Sequence, residues 1–171
     1  MADFPLQSLP FAGVISTALA LGPSLITPGV SPASAAWPSA SLAIFVPVQI
    51  PLPCTVYKLV MGAGVTAAGN FDIGIYDAAG NKMVSSGATA KGTSVKQVLD
   101  VTDTVIGPGL YYLALAADGT NNYIRHTISV QACRLAGVVE AAASYTLPSS
   151  VTFSASTGTF IPSLAAYLRP Y

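Results

Sequence analysis

GNFDIGIYDAAGNKMVSSG, residues 69–87, alternates large apolar side chains with small or polar ones, breaks, and then resumes. Phe71, Ile73 and Ile75 occupy every second position, which is the period of a β-strand with one buried face. The break at DAAGN contains the Asp, Gly and Asn that tight turns favour. The stretch therefore predicts a β-hairpin whose side chains carry no evident catalytic chemistry.

The same period of two occurs on both sides of this hairpin. One face of residues 42–50 is wholly apolar and comprises Leu42, Ile44, Val46, Val48 and Ile50. Pro47 on the opposite face indicates an edge strand or a bulge. Residues 93–101, 109–117 and 122–132 are also strand-like, and we expect the last two to pair across the turn DGTNN. The tail, residues 161–171, is expected to add a final edge strand.

Turn residues separate these segments, and no convincing helical pattern accompanies them. Short strands at this spacing are typical of antiparallel sandwiches and jelly rolls. We therefore predict an all-β chain, an antiparallel β-sandwich or jelly roll over residues 42–171. An extended N-terminal arm is predicted over residues 1–41.

The predicted arm is rich in Pro, Ala, Ser and Gly, yet it is not polar. Six prolines precede Pro47, which argues against a long helix or a central strand and allows only a short helix near residues 14–21. Disordered tails are normally polar and charged, so docking on a neighbouring subunit best explains an apolar arm. The expected anchoring side chains are Phe4, Leu6, Leu9, Phe11 and Trp37.

The chain carries little charge. Seven basic and seven acidic residues make up 8% of the sequence, against roughly 25% in an ordinary soluble domain, and the mean hydropathy is +0.60. We therefore expect another chain to cover part of the surface, in a homo-oligomer for which a trimer is the candidate form. Balanced, scattered charge argues against a nucleic-acid partner. Pro and Gly interrupt the apolar region 9–26 and no basic residue precedes Lys58, so neither a membrane span nor a signal peptide is predicted.

Side chains that catalyse reactions or bind metals are scarce. There is one histidine, His126, and one glutamate, Glu140. His126 lies in register with apolar neighbours, which favours a hydrogen-bonded histidine in the core or in a subunit contact, with a pH-sensitive contact as the sharper alternative. Catalytic triads need a base with an orienting acid, and glycoside hydrolysis needs facing carboxylates. No enzyme activity, cofactor or metal site is predicted.

The aspartates are assigned to turns. Asp77 in DAAGN and Asp118 in DGTNN stand beside the small residues of two turns. Asp100 and Asp103 flank the predicted end of a strand, where they are expected to cap a turn in the same way. No D-x-[DN]-x-[DN]-G loop is present, and a calcium site built from the loops is left open.

The cysteines and tyrosines complete the candidate residues. Cys54 and Cys133 are expected to be free, partly buried thiols, with a disulfide between them as the alternative. Tyrosines on exposed strand faces stack on sugars or anchor interfaces, and Tyr76, Tyr111 and Tyr123 are the candidates for a glycan or partner contact.

Three stretches resemble small structural proteins of tailed bacteriophages: AIFVPVQIPLPCTVYKL, the opening hairpin, and VTDTVIGPGLYYLALAAD. In that group an extended proline-bearing strand leads to a G-N-x-D-x-G-x-Y-D hairpin and then to a P-G-x-Y-Y-L strand. The matching positions here are Gly69, Asn70, Asp72, Gly74, Tyr76 and Asp77, followed by Pro108, Gly109, Tyr111, Tyr112 and Leu113. The resemblance covers residues 42–118. It implies a virion component and no catalytic residue.

The resemblance and the composition together predict a bacteriophage virion structural protein, assembled in the host cytoplasm. The favoured role is a capsid decoration or cement subunit, anchored by its arm on major capsid or tail proteins. The main alternative is a tail-associated or tail-fibre module that binds a receptor or glycan. An envelope hydrolase is a third hypothesis, which the single histidine and single glutamate disfavour. Capsid and tail locations are not distinguished by the sequence.

Overall fold

The computed structural model of the chain describes residues 13–16, 33–93, 96–119 and 122–171. Within these ranges the chain forms fourteen strands and one short helix. The first seven strands are β1 (Gly13–Ser16), β2 (Ala33–Ala36), β3 (Leu42–Ile50), β4 (Cys54–Gly62), β5 (Asn70–Asp77), β6 (Lys82–Ser85) and β7 (Thr89–Ala90). They are followed by β8 (Lys96–Ile106), β9 (Gly109–Ala117), β10 (Asn122–Thr127), α1 (Val130–Leu135), β11 (Val139–Ala142), β12 (Ser154–Ala155), β13 (Phe160–Pro162) and β14 (Leu164–Pro170).

The described strands form three antiparallel sheets. A four-stranded sheet has the order β1-β14-β4-β8, and a three-stranded sheet has the order β13-β10-β2. The seven-stranded sheet has the order β12-β11-β3-β9-β5-β6, with β7 pairing with the start of β5. The prediction of an all-β antiparallel sandwich is confirmed. The jelly-roll connectivity and the boundary between residues 41 and 42 stay predictions.

The main core lies between the sheets. The predicted apolar face of β3 points into it, together with Phe71, Ile73 and Ile75 of the hairpin strand. Leu59 and Met61 of β4 meet them from the four-stranded sheet, and both are fully buried. Each side chain of this size contributes about 1.5–3 kcal/mol when it is buried, so this layer is the main source of stability.

A second apolar cluster covers the outer face of the seven-stranded sheet. Phe45, Tyr76, Ala114 and Ala116 line that face, and each is fully buried. Residues 143–153, which we call the strap, lie over them and contribute Leu147, Val151 and Phe153. This sheet is therefore buried on both faces in its central part, although only one of its faces was expected to be.

Two predicted pairings are wrong. β10 does not pair with β9, because β9 already has β3 and β5 as its neighbours, so β10 pairs with β2 and β13 instead. The C-terminal strand β14 is not an edge strand, since it lies between β1 and β4. The strand predicted over residues 93–101 continues as β8 to Ile106.

Pro47 lies inside the seven-stranded sheet, so the expectation of an edge strand is wrong for β3 as a whole. Pro47 is tolerated at this position for a local reason. β11 pairs only with residues 42–45 of β3, and Pro47 lies beyond the last of these pairs. On that side the strand has no described ladder partner, and the missing N–H is tolerated there.

The two described parts of the predicted arm belong to the sheets of the body. β1 pairs with β14 and β2 pairs with β10. Residues 13–16 are thus a strand and not part of a short helix, with Ile15 in the main core. Trp37 is only 1% exposed, so it packs within its own chain and is not free to anchor the arm on a neighbour. The other expected anchors lie outside the described residues: Phe4, Leu6, Leu9 and Phe11.

α1 has six residues, and the described part of the chain contains no helix with the length and apolarity of a membrane span.

Candidate functional site

The G-N-x-D-x-G-x-Y-D motif begins where β5 begins. The Asn70 backbone N–H and its side-chain Nδ2 both donate to Oδ2 of Asp118, at 2.7 and 2.9 Å. Asp118 lies just after β9, in the predicted turn, and its own N–H donates to the Asn70 carbonyl at 3.0 Å. These bonds fasten the start of one strand to the end of its neighbour, so the motif asparagine is structural.

Asp72 is the motif residue with the most unusual environment. Its carboxylate is fully buried under the strap and accepts hydrogen bonds from the Leu147 N–H at 2.9 Å and from Ser86 Oγ at 3.2 Å. Burial raises the pKa of the carboxyl above its ordinary value of 3.8, and the Leu147 bond opposes that shift. The carboxylate supplies an acceptor that an irregular buried segment needs for its backbone.

Gly74 leaves room for the strap. A Cβ atom at this position would lie 2.9 Å from Cδ1 of Leu147 and 2.9 Å from the Val84 carbonyl oxygen. Real Cβ atoms do not approach other heavy atoms so closely. The motif glycine therefore allows Leu147 to sit directly on the sheet.

Tyr76, expected to be available for a glycan or partner, is fully buried, so that expectation is wrong. As predicted, it lies on the face opposite the apolar residues of β5. That face is covered by the strap, and the Tyr76 hydroxyl donates to the Pro148 carbonyl. The ring packs edge-on against Phe45, with centroids 5.1 Å apart. Burial raises the pKa of the phenol, which stays protonated as a donor.

Asp77 caps the hairpin turn, as predicted. Its carboxylate accepts from the Ala79 N–H at 2.9 Å, and from the Asn81 N–H and Nδ2 at 2.8 and 2.9 Å. The side-chain bond from Asn81 is the largest cause of a lowered pKa of Asp77. Gly80 adopts a φ of +88°, a left-handed conformation that favours glycine.

Lys82 completes the set of groups that hold the strap. Its Nζ donates to the Leu147 carbonyl at 2.6 Å, and its N–H donates to the Ser149 carbonyl at 2.8 Å. We call Asp72, Gly74, Tyr76 and Lys82 the clamp. Three of them satisfy backbone groups of the strap, and the glycine gives the strap space.

Tyr123 is also buried, so it cannot serve as a surface contact in this structure. Its ring meets Trp37 edge-on at 5.5 Å, and the Lys91 Nζ lies 5.3 Å from the ring centroid. Lys91 is itself buried and donates to the carbonyls of Thr66 and Gly64. Burial lowers the pKa of this ammonium. The arrangement holds the loop after β4 against β10.

Tyr111 and Tyr112 take opposite faces of β9, as the alternation predicts. Tyr111 packs at the margin of the main core, and Tyr112 packs on Phe153 with ring centroids 4.7 Å apart. Both are half-buried. Of the three tyrosines predicted as contacts, Tyr111 alone keeps part of its surface exposed.

His126 is 8% exposed on β10, opposite Ile161 of β13. The side chain is buried, and burial lowers the pKa of the imidazole. Glu140 is buried on β11 and accepts from Thr157 Oγ1 at 2.7 Å. Among the described residues, no group of three His, Cys, Asp or Glu side chains is placed to hold a metal ion.

Asp100 and Asp103 do not cap a turn, because β8 runs through both of them. The Asp100 carboxylate pairs with Nζ of Lys58 at 3.0 Å, and the Asp103 carboxylate pairs with Arg169. Both pairs lie on the four-stranded sheet: Lys58–Asp100 joins the neighbouring strands β4 and β8, and Arg169–Asp103 joins β14 to β8 across β4. Cross-strand pairing of this kind is invisible in a single strand's pattern.

Cys54 and Cys133 are free and buried, as predicted. Burial raises the pKa of both thiols, so neither has the thiolate character of a reactive cysteine.

An aromatic pair that the sequence analysis did not single out lies on the outer face of the four-stranded sheet. The rings of Tyr57 and Tyr167 are 6.3 Å apart, and the Arg169 guanidinium lies 5.6 Å from the Tyr57 ring. Both tyrosines are half-buried. The signal for this pair is the alternation within β4 and β14, but their adjacency depends on a pairing distant in sequence.

One end of the sandwich exposes apolar side chains. Residues 51–53 connect β3 to β4, residues 107–108 connect β8 to β9, and β14 ends beside the start of β4. The strand pairs Ile50 with Gly109 and Cys54 with Ile106 place the two connections side by side. We call this end the tip. Its exposed large side chains are Leu52, Val105, Leu110 and Tyr171.

No protein-family model matches the chain, and neither a curated protein nor a solved structure is found to be similar to it. The clamp stabilises the fold, while the tip, the aromatic pair and Tyr111 are the exposed features that offer contacts.

Proposed function

We propose that the protein is a structural subunit of a bacteriophage virion, most simply a capsid decoration or cement protein. The proposal rests on the contacts that the residues of the hairpin motif make. Asn70, Asp72, Tyr76 and Asp77 each bind another part of the same chain, and the motif leaves no reactive group for a substrate. The residues on which the phage resemblance rests therefore act as stabilising elements.

The proposed partners are other virion proteins and further copies of the chain, in a homo-oligomer for which a trimer is the candidate form. Two features support an assembling subunit. Charged residues make up only 8% of the chain, and several large apolar side chains are exposed at the tip. Burial of such side chains against another chain is favourable. Assembly in the host cytoplasm and residence in the virion follow from this role.

The first test is the copy number of the chain in purified particles, measured by quantitative mass spectrometry against the major capsid protein. A ratio near one, or a simple fraction of one, is the expected result for a decoration or cement subunit. A ratio of a few per cent would assign the protein to the tail. Its absence from the particle would overturn both roles.

The second test concerns anchoring by the N-terminal arm. Deleting residues 1–12 leaves β1 and the buried Ile15 in place, so the shortened chain is expected to fold. We expect this deletion to abolish binding to particles that lack the protein. The control is Val65→Asp in the full chain, because Val65 is 75% exposed in a loop. Retained binding by the deletion variant would refute the anchoring role.

Binding of a receptor or glycan by a tail module is the second candidate function, and the pair Tyr57–Tyr167 favours it. Sugar rings stack on aromatic faces, and the adjacent ion pairs Arg169–Asp103 and Lys58–Asp100 offer donors and acceptors for hydroxyl groups. These two tyrosines replace the buried Tyr76 and Tyr123 as the residues to test.

The glycan function predicts saturable binding to host surface polysaccharide that Tyr57→Ala and Tyr167→Ala both weaken. Tyr145→Ala is the matched control, since Tyr145 is exposed at the strap and remote in sequence from the pair. Equal binding by all three variants, or no binding by the native chain, would exclude this function.

A further inference from the structure

The alternation of side chains in β4 is interrupted at one point. Val56 and Leu59 are both fully buried in the main core, yet the two residues between them, Tyr57 and Lys58, both lie outside it. In a regular strand, consecutive side chains point to opposite faces of the sheet. A β-bulge therefore places Tyr57 and Lys58 together on the outer face of the four-stranded sheet.

The pairing on both sides of β4 shows the same bulge. The residues of β14 that pair with Lys58 and Val56 are adjacent in sequence, so Tyr57 has no ladder partner in β14. On the other side, residues 101–103 of β8 lie between the partners of Val56 and Lys58. Bulges often redirect a side chain beside a functional site. Here the bulge brings the Tyr57 ring to within 6.3 Å of the Tyr167 ring, measured between centroids.

The irregular pairing of β8 also gathers charged groups around these rings. Asp100 and Asp103 are three residues apart, a spacing that puts side chains on opposite faces of a regular strand. Here both carboxylates bind cations of the outer face. Asp100 pairs with the Lys58 ammonium at 3.0 Å. Asp103 pairs with the Arg169 guanidinium, which lies 5.6 Å from the Tyr57 ring.

Two aromatic rings and two ion pairs thus share one area of the outer face. We call this area the platform, and its residues are Tyr57, Lys58, Asp100, Asp103, Tyr167 and Arg169. Its carboxylates are accessible, since the Asp100 side chain is 84% exposed and the Asp103 side chain is 52% exposed. Val98 and Val105 lie two residues beyond these aspartates on β8, and both are exposed. They give the platform an apolar margin.

A sugar ring matches this combination of groups. The apolar C–H face of a pyranose packs on an aromatic ring, and its hydroxyl groups both donate and accept hydrogen bonds. Ammonium and guanidinium groups only donate, whereas carboxylates only accept. The two ion pairs therefore provide partners of both kinds beside the rings.

The balance of charge indicates that the sugar is uncharged. Two cations and two anions, each paired with the other sign, leave the platform without net charge. An acidic polysaccharide would bring its anionic groups as close to Asp100 and Asp103 as to the cations. Such a ligand gains no net electrostatic attraction here.

A protein partner fits the platform less well. A protein surface that covered it would remove four charged groups from water, and the cost of that desolvation can exceed the attraction within the pairs. Sugar hydroxyls can instead take the place of the water molecules that bind these groups. The exposed ion pairs therefore favour a hydroxyl-rich ligand.

We infer that the platform binds an uncharged polysaccharide built from hexopyranose units. Its sugar rings pack on Tyr57 and Tyr167, and its hydroxyl groups bond to the flanking ion pairs. The inference rests on the second candidate function, glycan binding, and names the class of ligand for it.

The test is isothermal titration calorimetry of the full chain with four uncharged hexasaccharides: cellohexaose, laminarihexaose, mannohexaose and chitohexaose. The native chain is expected to bind at least one of them. Tyr57→Ala and Tyr167→Ala are each expected to weaken that binding at least about tenfold, because each removes a stacking surface. Tyr57→Phe and Tyr167→Phe keep the rings, so a change below about threefold is expected. Tyr145→Ala is the matched control, since Tyr145 is exposed at the strap, outside the platform.

Salt and a charged sugar test the charge argument. Raising NaCl from about 0.05 to about 0.5 M is expected to change the affinity less than about twofold, because an uncharged ligand forms no ion pair for salt to screen. Oligogalacturonate, which carries a carboxylate on every unit, is expected not to bind. Emission of the single tryptophan, buried Trp37, confirms that each variant is folded.

The outcomes separate the inference from the function on which it rests. Binding of oligogalacturonate in preference to the uncharged hexasaccharides, or a steep loss of affinity with salt, would overturn the inference and leave glycan binding intact. Unchanged binding by Tyr57→Ala and Tyr167→Ala would assign the sugar to another surface and would also overturn the inference. The absence of binding to every sugar would overturn both, while particle copy number tests the virion role separately.

Discussion

At the scale of single residues, Asp72 shows how a buried carboxylate becomes a structural element. The strap crosses the sheet without a strand ladder of its own at Leu147, so its backbone groups need other partners. Asp72 accepts from the Leu147 N–H, and Lys82 donates to the Leu147 carbonyl. A buried N–H left without an acceptor costs about 1–3 kcal/mol, and Asp72 removes that cost for Leu147.

Asp72→Ala is therefore expected to lower the free energy of unfolding by about 2–4 kcal/mol, because the Leu147 N–H loses its acceptor and a small cavity forms. Asp72→Asn keeps one acceptor oxygen and removes the buried charge, so a loss below about 1 kcal/mol is expected. Urea unfolding measures both. Asp100→Asn, at an exposed ion pair, is the control and should change little. Equal stability of all three variants would contradict a structural role for Asp72.

The burial of His126 predicts that the free energy of unfolding depends on pH. Burial lowers its pKa in the folded state below the ordinary value of 6.5, so the unfolded chain binds a proton more readily than the folded chain. The free energy of unfolding should therefore fall as the pH drops below about 6.5, until the folded-state pKa is passed. His126→Gln should reduce this fall, measured by urea unfolding at about pH 7.5 and about pH 5.5. Parallel pH dependence in both proteins would refute the assignment.

At the scale of elements, the strap and the seven-stranded sheet depend on each other. The outer face of β5 presents a carboxylate, a glycine and a phenol in alternation, and each meets the strap. The hairpin turn also binds the strap, because the Val151 N–H donates to the Gly80 carbonyl at 2.9 Å. The strap is thus held along its length by β5, by Lys82 at the start of β6, and by the hairpin turn.

Gly74→Ala tests the close contact between these elements. The added methyl group meets both Leu147 and the Val84 carbonyl, so a loss of about 1–3 kcal/mol is expected from overpacking. Limited proteolysis with chymotrypsin should cut faster at Tyr145, because the strap is displaced. Gly92→Ala is the control, since its Cβ would meet only a Gln97 side chain at 3.5 Å. Unchanged cleavage in Gly74→Ala would show that the strap adapts without moving.

At the scale of the whole molecule, Trp37 joins the N-terminal segment to the body. Its ring makes edge contacts with Tyr123 and Phe160, which belong to β10 and β13, and its Nε1 donates to the Leu42 carbonyl at 3.2 Å. A truncation that removes residues 1–36 would therefore also remove β1 and β2, and it would test folding together with anchoring.

The single tryptophan makes this placement testable. If Trp37 is a core residue, its emission should be blue-shifted in the native chain, remain so when oligomers are diluted to monomers, and shift to the red only in denaturant. Trp37→Ala should lower the free energy of unfolding by about 3–5 kcal/mol. A red shift on dilution alone would mean that a neighbouring chain buries the ring.

Much of the fold is predictable from local patterns. Period-two alternation located β5 and β9 and the inward face of β3, because burial of one face imposes that period directly on the residues. Asp77 and Gly80 identified the hairpin turn, since turn conformations restrict residue choice. Pairing partners were predicted less well, as β10 and β14 show. Alternation states which face is buried, but it does not name the neighbouring strand.

The candidate sites show the same difference between what local patterns predict and what long-range packing decides. Tyr76 looked exposed because it alternates with Phe71 and Ile75, and only the fold brings a segment some seventy residues away over it. The tip likewise joins two connections that are distant in sequence. Alternation and turn chemistry are local properties, so the residues alone were enough to predict an all-β antiparallel sandwich. Which faces and loops stay exposed depends on long-range packing, because burial is a property of the folded surface and not of any one segment.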